Sequence, residues 1–97
     1  MALYVSLISW TDQGIKDFRD TPHRAEAFAK QVEGVGGRVR ELVWTAGEYD
    51  MVCVADFPDE ETGVAALLRV GALGNVRSQT MRAFTAEEMD GIIRVAG

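Results

Sequence analysis

The first strand-like segment of the chain carries apolar side chains on both faces that a β-strand presents. Leu3 to Trp10 is rich in β-branched and aromatic residues and far shorter than a membrane span. Alternate side chains of a strand point to opposite faces, and the two apolar sets are Leu3, Val5 and Leu7, and Tyr4, Ile8 and Trp10. A sheet that is apolar on both faces needs a cover on each, so we expect a second layer beyond the chain's own helices.

The elements follow one another in the order strand, helix, strand, strand, helix, strand, with a tail helix at the end. Strands are predicted at 3–10, 38–45, 49–57 and 76–84. Thr21 is the expected N-cap of the first helix, Pro58 begins the second, and Thr85-Ala86-Glu87-Glu88 is a capping box that opens the tail helix. This order is the split βαβ pattern of a ferredoxin-like α+β sandwich. We therefore expect a single domain over residues 1–97, with the first and third strands central and the two arginine-bearing strands at the edges.

Two helices are expected to cover one face of this sheet. Thr11–Gly14 is expected to end the first strand, and Ile15 and Phe18 to form a short covering turn. The apolar stripes predicted for burial are Ala25, Phe28, Ala29 and Val32 in the first helix, and Val64, Leu67, Leu68 and Gly71 in the second. In the tail helix Met89, Ile92 and Ile93 share one side.

A two-residue turn at Gly47-Glu48 fixes the predicted register of the central hairpin. The cross-strand pairs are then Thr45 with Asp50, Val43 with Val52, Glu41 with Val54, Trp44 with Met51, and Leu42 with Cys53. We expect Trp44, Met51, Leu42 and Cys53 to face the helices.

Composition excludes several functional classes. A net charge of −5 on 97 residues argues against binding to nucleic acid or to anionic membranes, which needs a basic surface. A single cysteine cannot form a disulfide framework and fits a reducing cytoplasm, and the apolar start lacks the basic region of a signal peptide. No motif indicates a cofactor: the glycines at 34–37 follow a helix instead of opening one. No metal site is expected either, because His23 and Glu26 lack a third ligand.

The hairpin and the segment around the fourth strand resemble the GYD-domain family. The family's signature letters stand at Gly47-Glu48-Tyr49-Asp50, before the apolar strand 51–55 and Asp56-Phe57-Pro58-Asp59, and a second signature looks similar at 71–84. The resemblance spans nearly the whole chain and implies a dimeric ferredoxin-like α/β barrel. It implies little chemistry, because the family is functionally uncharacterised. More distantly, the Gly-x-Tyr-Asp turn is similar to that of the ligand-binding half of Lrp/AsnC-type regulators, which pair sheet to sheet and bind small molecules between subunits.

The Gly47–Asp50 turn admits a structural and a functional interpretation. Gly47 can supply a positive φ, Asp50 can accept bonds from nearby backbone amides, and Tyr49 can pack at the rim. The functional interpretation places Asp50 with Tyr4, Trp10 and Tyr49 at the mouth of a cavity between paired sheets, where the carboxylate binds an ammonium group or acts as a base. Cys53, inside an apolar strand, is expected to be a core residue.

Two functional hypotheses follow. The first is a cytoplasmic homodimer, or higher homo-oligomer, that binds a small molecule or holds an assembly together without a cofactor. The alternative is a cofactor-independent enzyme, monooxygenase-like or isomerase-like, working in a cavity between the sheets. It rests on analogy with other dimeric ferredoxin-like barrels, and Asp50 is its only candidate base.

Overall fold

Four strands form one antiparallel sheet in the computed structural model, which describes all of residues 1–97, and their order is β2-β3-β1-β4. The elements in chain order are β1 (Ala2–Trp10), α1 (Asp12–Lys16), a 3₁₀ turn (Phe18–Asp20), α2 (Thr21–Gly34), β2 (Arg38–Trp44), β3 (Met51–Phe57), α3 (Glu60–Ala72), β4 (Val76–Ala83) and α4 (Ala86–Ala96). This confirms the ferredoxin-like α+β prediction, with β1 and β3 in the centre of the sheet and the arginine-bearing β2 and β4 at its edges.

The register of the β2–β3 hairpin is the predicted one. Val43 pairs with Val52 and Trp44 with Met51, and the backbone N–H of Thr45 donates to the carbonyl of Asp50 at 2.8 Å. A β-bulge between Val39 and Glu41 is the one irregularity, and an extra residue of this kind bends an edge strand. Gly47 does not take a positive φ, so the expectation that it supplies one in this turn was wrong.

β1 ends at Trp10, as predicted, and the segment after it forms the short helix α1 where a turn was predicted. Thr11 caps α1, since its hydroxyl accepts a hydrogen bond from the N–H of Gly14 at 3.1 Å and donates one to the carbonyl of Gly74 at 2.6 Å. A Cβ on Gly14 would stand 1.9 Å from the carbonyl oxygen of Asn75. The absence of a side chain at Gly14 therefore allows α1 to pack closely against Asn75, the residue before β4.

The two long helices pack on one face of the sheet, but α3 turns only Leu67 of its predicted apolar stripe toward the sheet, together with small residues that were not predicted. In α2 the predicted stripe is the packed one, and Val32 is fully buried. In α3 the buried residues are Gly63 and Ala66, whereas Leu68 is 71% exposed and Val64 is 49% exposed. A Cβ on Gly63 would lie 2.8 Å from the ring of Tyr4, so the helix approaches the sheet along its small residues.

Side chains cap the N-termini of α3 and α4, whereas α2 begins differently from the prediction. Asp59 caps α3 by accepting from the N–H of Thr62 at 2.8 Å, and this bond holds the pKa of its carboxyl below the ordinary value. Thr85 and Glu88 form the predicted capping box of α4, and the N–H of Thr85 likewise lowers the pKa of Glu88. Thr21 is the first residue of α2, not its N-cap, and its hydroxyl instead accepts a hydrogen bond from the indole of Trp44 at 3.1 Å.

The tail helix α4 buries none of its residues against the rest of the chain. Met89, Ile92 and Ile93 form its apolar side and are all exposed. The molecule is elongated, with extents of 50 × 30 × 18 Å. No helix combines the length and the apolar character needed to cross a membrane.

Candidate functional site

One face of the sheet carries no helix and is mostly apolar. Residues paired directly across neighbouring strands share a face. Val5 pairs with Val54 and Met81, and Val52 pairs with Leu7 and Val43. All of these residues lie on the face opposite the one that α2 and α3 cover. We call this surface the open face and define it by Val5, Leu7, Val43, Val52, Val54 and Met81. Val43 is 40% exposed and Met81 48% exposed. An apolar patch of this kind marks an interaction surface in soluble proteins.

A carboxylate at one end of the open face is neutralised by two arginines. Asp56 is only 4% exposed, and its Oδ2 accepts a hydrogen bond from Nε of Arg40 and lies 3.9 Å from Nη2 of Arg38. The pairing satisfies a charge that would otherwise be buried alone. A second carboxylate, that of Glu41, lies on the same face at the edge strand, where Glu41 pairs with Val54 and is exposed.

Two of the predicted site residues, Tyr49 and Asp50, lie at the rim of the sheet where β3 begins. The hydroxyl of Tyr49 donates to Oε1 of Gln79 at 2.8 Å, which takes the side chain past β1 to the edge strand β4. Oδ2 of Asp50 accepts a hydrogen bond from the backbone N–H of Trp10 at 2.9 Å, and the N–H of Asp50 donates to the carbonyl of Ile8 at 2.8 Å. Asp50 thus extends the pairing of β1 with β3 beyond its last ladder residue.

The other two predicted residues lie on the helix-covered side. Tyr4 belongs to the core, where its ring meets that of Phe57 edge to face with 6.0 Å between the ring centroids. Trp10 shares the face of Tyr4 by alternation, and its indole N–H is buried without a hydrogen-bond partner. The structure therefore brings Tyr49 and Asp50 together at the rim but does not bring Tyr4 to them.

The helix-covered side holds a cavity of about 80 Å³ between the sheet and the inner sides of α2 and α3. Most of its lining is apolar and includes Ile8, Phe28, Met51, Cys53 and Leu67. Burial raises the pKa of the Cys53 thiol to about 11, so the thiol stays protonated and unreactive at neutral pH, as expected for a core cysteine.

Sequence reasoning missed the hydroxyl groups on the wall of this cavity. Ser6 Oγ lies 2.9 Å from Thr80 Oγ1, and Thr80 Oγ1 donates to Ser78 Oγ at 3.4 Å. The available signal was Ser6 itself, a polar residue at a central position of an otherwise apolar strand.

Comparison with known families agrees with this architecture. The family model described as "GYD domain" matches residues 4–93, which is nearly the whole chain. The chain belongs to the GYD domain family. The signature letters Gly47-Glu48-Tyr49-Asp50 thus form the loop that leads into β3 and place two side chains at the rim of the open face.

A curated relative carries a functional description. The chain is 27% identical over 90 residues to the "Glutamine synthetase and cystathionine beta-lyase binding protein" of Thermus thermophilus, and the match covers 92% of this chain and 95% of the relative. The relative is thus of almost the same length as this GYD chain, and its description is that of a protein that binds two enzymes.

Proposed function

We propose that this GYD chain is an assembly module: two copies pair through their open faces, and the paired module binds an enzyme. The open face is the observation that carries the proposal. Its central residues are apolar, the buried carboxylate of Asp56 at its end is paired with arginines, and neither α2 nor α3 covers it. Covering Val43 and Met81 removes apolar surface from water, which is the main favourable term in association.

The open face alone supplies about half of the area that a stable dimer of two copies buries on each partner. Four strands with seven paired residues each make a flat area of about 19 by 23 Å, or ~440 Å². A stable dimer buries about 800 Å² on each partner. The pleated surface exceeds its flat projection, and α4 supplies further apolar area because Met89, Ile92 and Ile93 are exposed. We therefore include α4 in the paired interface, with Tyr49 at its rim.

The enzyme partner is proposed from the relative of similar length. If the open faces pair, the outer side of α3 remains free, and it exposes the apolar side chains of Val64 and Leu68. Leu68, at 71% exposed, is the most solvent-accessible of these and the best single position for a test. We propose that this side of α3 contacts the enzyme.

Binding to purified glutamine synthetase and to purified cystathionine β-lyase tests this function. We expect the wild-type chain to bind at least one of them, and Leu68→Glu to weaken that binding at least tenfold, because a carboxylate would be desolvated in the contact. Ala27→Glu, on the exposed side of α2, is the matched control and should bind like the wild type. Absence of binding to both enzymes, or a Leu68→Glu variant that binds normally, contradicts the enzyme contact.

The alternative function, a cofactor-independent enzyme, gains no support from the candidate base. The carboxylate of Asp50 is engaged by the N–H of Trp10, and Asp50 does not line the cavity beneath the helices. We therefore assign Asp50 a structural role. A cytoplasmic location stays part of the proposal and rests on the single cysteine.

A further inference from the structure

We propose that a charge contact orients the two paired copies: Glu87, in the first turn of α4, meets Arg38 and Arg40 of the second copy. This contact places the edge strand β4 of each copy over the edge strand β2 of the other. The orientation rests on the proposed pairing of open faces and decides which of two ways the faces meet.

The arginines at one end of β2 carry one positive charge more than their own chain neutralises there. Nε of Arg40 donates to Oδ2 of Asp56, and Nη2 of Arg38 lies 3.9 Å from the same oxygen, so two cations share one carboxylate. The side chain of Arg38 is 68% exposed and that of Arg40 is 40% exposed. The surplus charge therefore faces solvent, where an acidic group of a partner can reach it.

The first turn of α4 supplies an acidic group of this kind. The carboxylate of Glu88 is committed to its own helix, because it accepts the N–H of Thr85 in the capping box. Glu87 is exposed in the same turn and has no part in that box. Because α4 buries none of its residues, the first turn is accessible to a second copy.

The arginines and the start of α4 lie at the same end of the sheet but at opposite edges. Asp56 pairs with Arg38 of β2 and with Leu3 of β1, and Leu3 pairs with Ala83, where β4 ends. α4 begins three residues later. Three strand spacings, or ~14 Å, separate β2 from β4 within one chain. A second copy is therefore needed to bring the two groups together.

Two symmetric orientations allow sheets with aligned strands to pack face to face. The two-fold axis of such a pair lies either along the strands or across them. An axis along the strands exchanges the edges of the sheet without reversing its ends, so β4 lies over β2 of the second copy. The start of α4 then lies beside Arg38 and Arg40 of that copy.

The charges at the ends of the sheet favour the axis along the strands. An axis across the strands would lay β3 over β3 with its ends reversed, and Asp56 would face Asp50 of the second copy. The axis along the strands instead brings Arg77, exposed at the other end of β4, to the end of the second copy that carries Asp50. Complementary charges of this kind select an orientation more than they add affinity.

Charge reversal on each side of the contact tests it in one mixture. Arg38→Glu and Glu87→Lys should each dimerise at least about fivefold more weakly than the wild type, because each homodimer then contains two like-charged contacts. In an equal mixture, with one variant ¹⁵N-labelled, native mass spectra should show heterodimers above their statistical share of one half, because both contacts of the heterodimer are again oppositely charged. A statistical mixture would overturn the proposal.

Glu61→Lys is the matched control for the reversal in α4. It also reverses an exposed carboxylate in the first turn of a helix, but α3 lies on the covered side of the sheet. We expect Glu61→Lys to dimerise like the wild type and to show no preference for Arg38→Glu in a mixture. Equal effects of Glu61→Lys and Glu87→Lys would contradict a specific contact.

Cross-linking locates the strands and covers the case in which Arg38→Glu does not fold. Glu41 and Met81 lie at opposite edges of one row, which runs through Val54 and Val5. The double variant Glu41→Cys, Met81→Cys should therefore give a covalent dimer with a short bismaleimide. Each single variant should give none, because the axis along the strands puts identical positions at opposite edges. The native Cys53 is buried and should not react.

The cross-linking result separates the orientation from the pairing itself. Covalent dimers of the single variants, or a double variant that is not cross-linked although light scattering shows a wild-type dimer, would overturn the orientation and leave the pairing of open faces standing. A monomeric wild type would overturn both.

Discussion

The carboxylate of Asp50 accepts a hydrogen bond from the backbone N–H of Trp10, with 2.9 Å between the oxygen and the nitrogen. This bond joins the start of β3 to the end of β1, beyond the last ladder pair of Ile8 with Met51. Together with the bonds that Asp50 makes through its own N–H and carbonyl, it holds three chain segments at the rim of the sheet. The aspartate of the GYD signature therefore has a structural task in this fold.

Replacing Asp50 tests that task. Asp50→Ala leaves the N–H of Trp10 without a partner and should lower the free energy of unfolding by about 1–3 kcal/mol, whereas Asp50→Asn keeps an acceptor and should cost less than ~1 kcal/mol. Urea denaturation measures both variants. Glu33→Ala, at an exposed position of α2, is the control and should be close to neutral. Equal losses for Asp50→Ala and Asp50→Asn would contradict the role of the acceptor.

Two glycines of α3 should respond in opposite directions to the same substitution. A Cβ on Gly63 would lie 2.8 Å from the Tyr4 ring and 3.2 Å from the Phe57 ring, so Gly63→Ala should destabilise the fold by about 1–3 kcal/mol. Gly71 has open space around it, and Gly71→Ala should stabilise by up to ~1 kcal/mol through helix propensity. Thermal unfolding distinguishes the two, and a stabilising Gly63→Ala would mean that α3 does not pack this closely.

The strands could be predicted because their signals are local. Alternation along β1 and β3 and the length of the turn at 45–50 determined the register from sequence alone. The packed side of α3 could not be predicted in this way. The helix has an apolar stripe at Val64 and Leu68 and a small-residue side at Gly63 and Ala66, and the choice depends on how closely the Tyr4 ring lies below.

The glycine of the GYD signature should tolerate replacement. Gly47 has no positive φ and nothing within 4 Å of an added Cβ, so Gly47→Ala should be neutral or stabilising by up to ~1 kcal/mol. Gly74, at φ 80°, is the matched comparison, and Gly74→Ala should cost about 1–2 kcal/mol. A Gly47→Ala variant whose urea midpoint falls as far as that of Gly74→Ala would contradict this conformation of the loop.

The candidate site was only partly predictable, because β1 is apolar on both faces. Alternation placed Tyr4 and Trp10 on one face, but no local signal indicates which face the helices cover. Since they cover the face of Tyr4, that residue joined the core while Tyr49 and Asp50 stayed at the rim of the other face. The cavity beneath the helices also escaped prediction, because its volume depends on the separation of the layers.

The cap of α3 should make stability depend on pH in the acid range. The pKa of Asp59 is lowered because its carboxylate accepts the N–H of Thr62. A lowered pKa means that the stabilisation is present above the pKa of the unfolded chain and is lost as the pH falls through the pKa of the folded one. Asp59→Asn should flatten this part of the curve of urea midpoint against pH. A variant curve parallel to that of the wild type would contradict the cap's contribution.

The mass of the purified chain in solution tests the pairing of open faces most directly. Light scattering at micromolar concentration should give about twice the chain mass of 10.6 kDa for the wild type and for Leu68→Glu, which lies outside the open face. The double variant Val43→Glu, Met81→Glu should give the mass of a single chain, because four carboxylates would be buried in one interface. A wild-type mass of 10.6 kDa, or a dimer that survives both open-face substitutions, would contradict the proposed assembly.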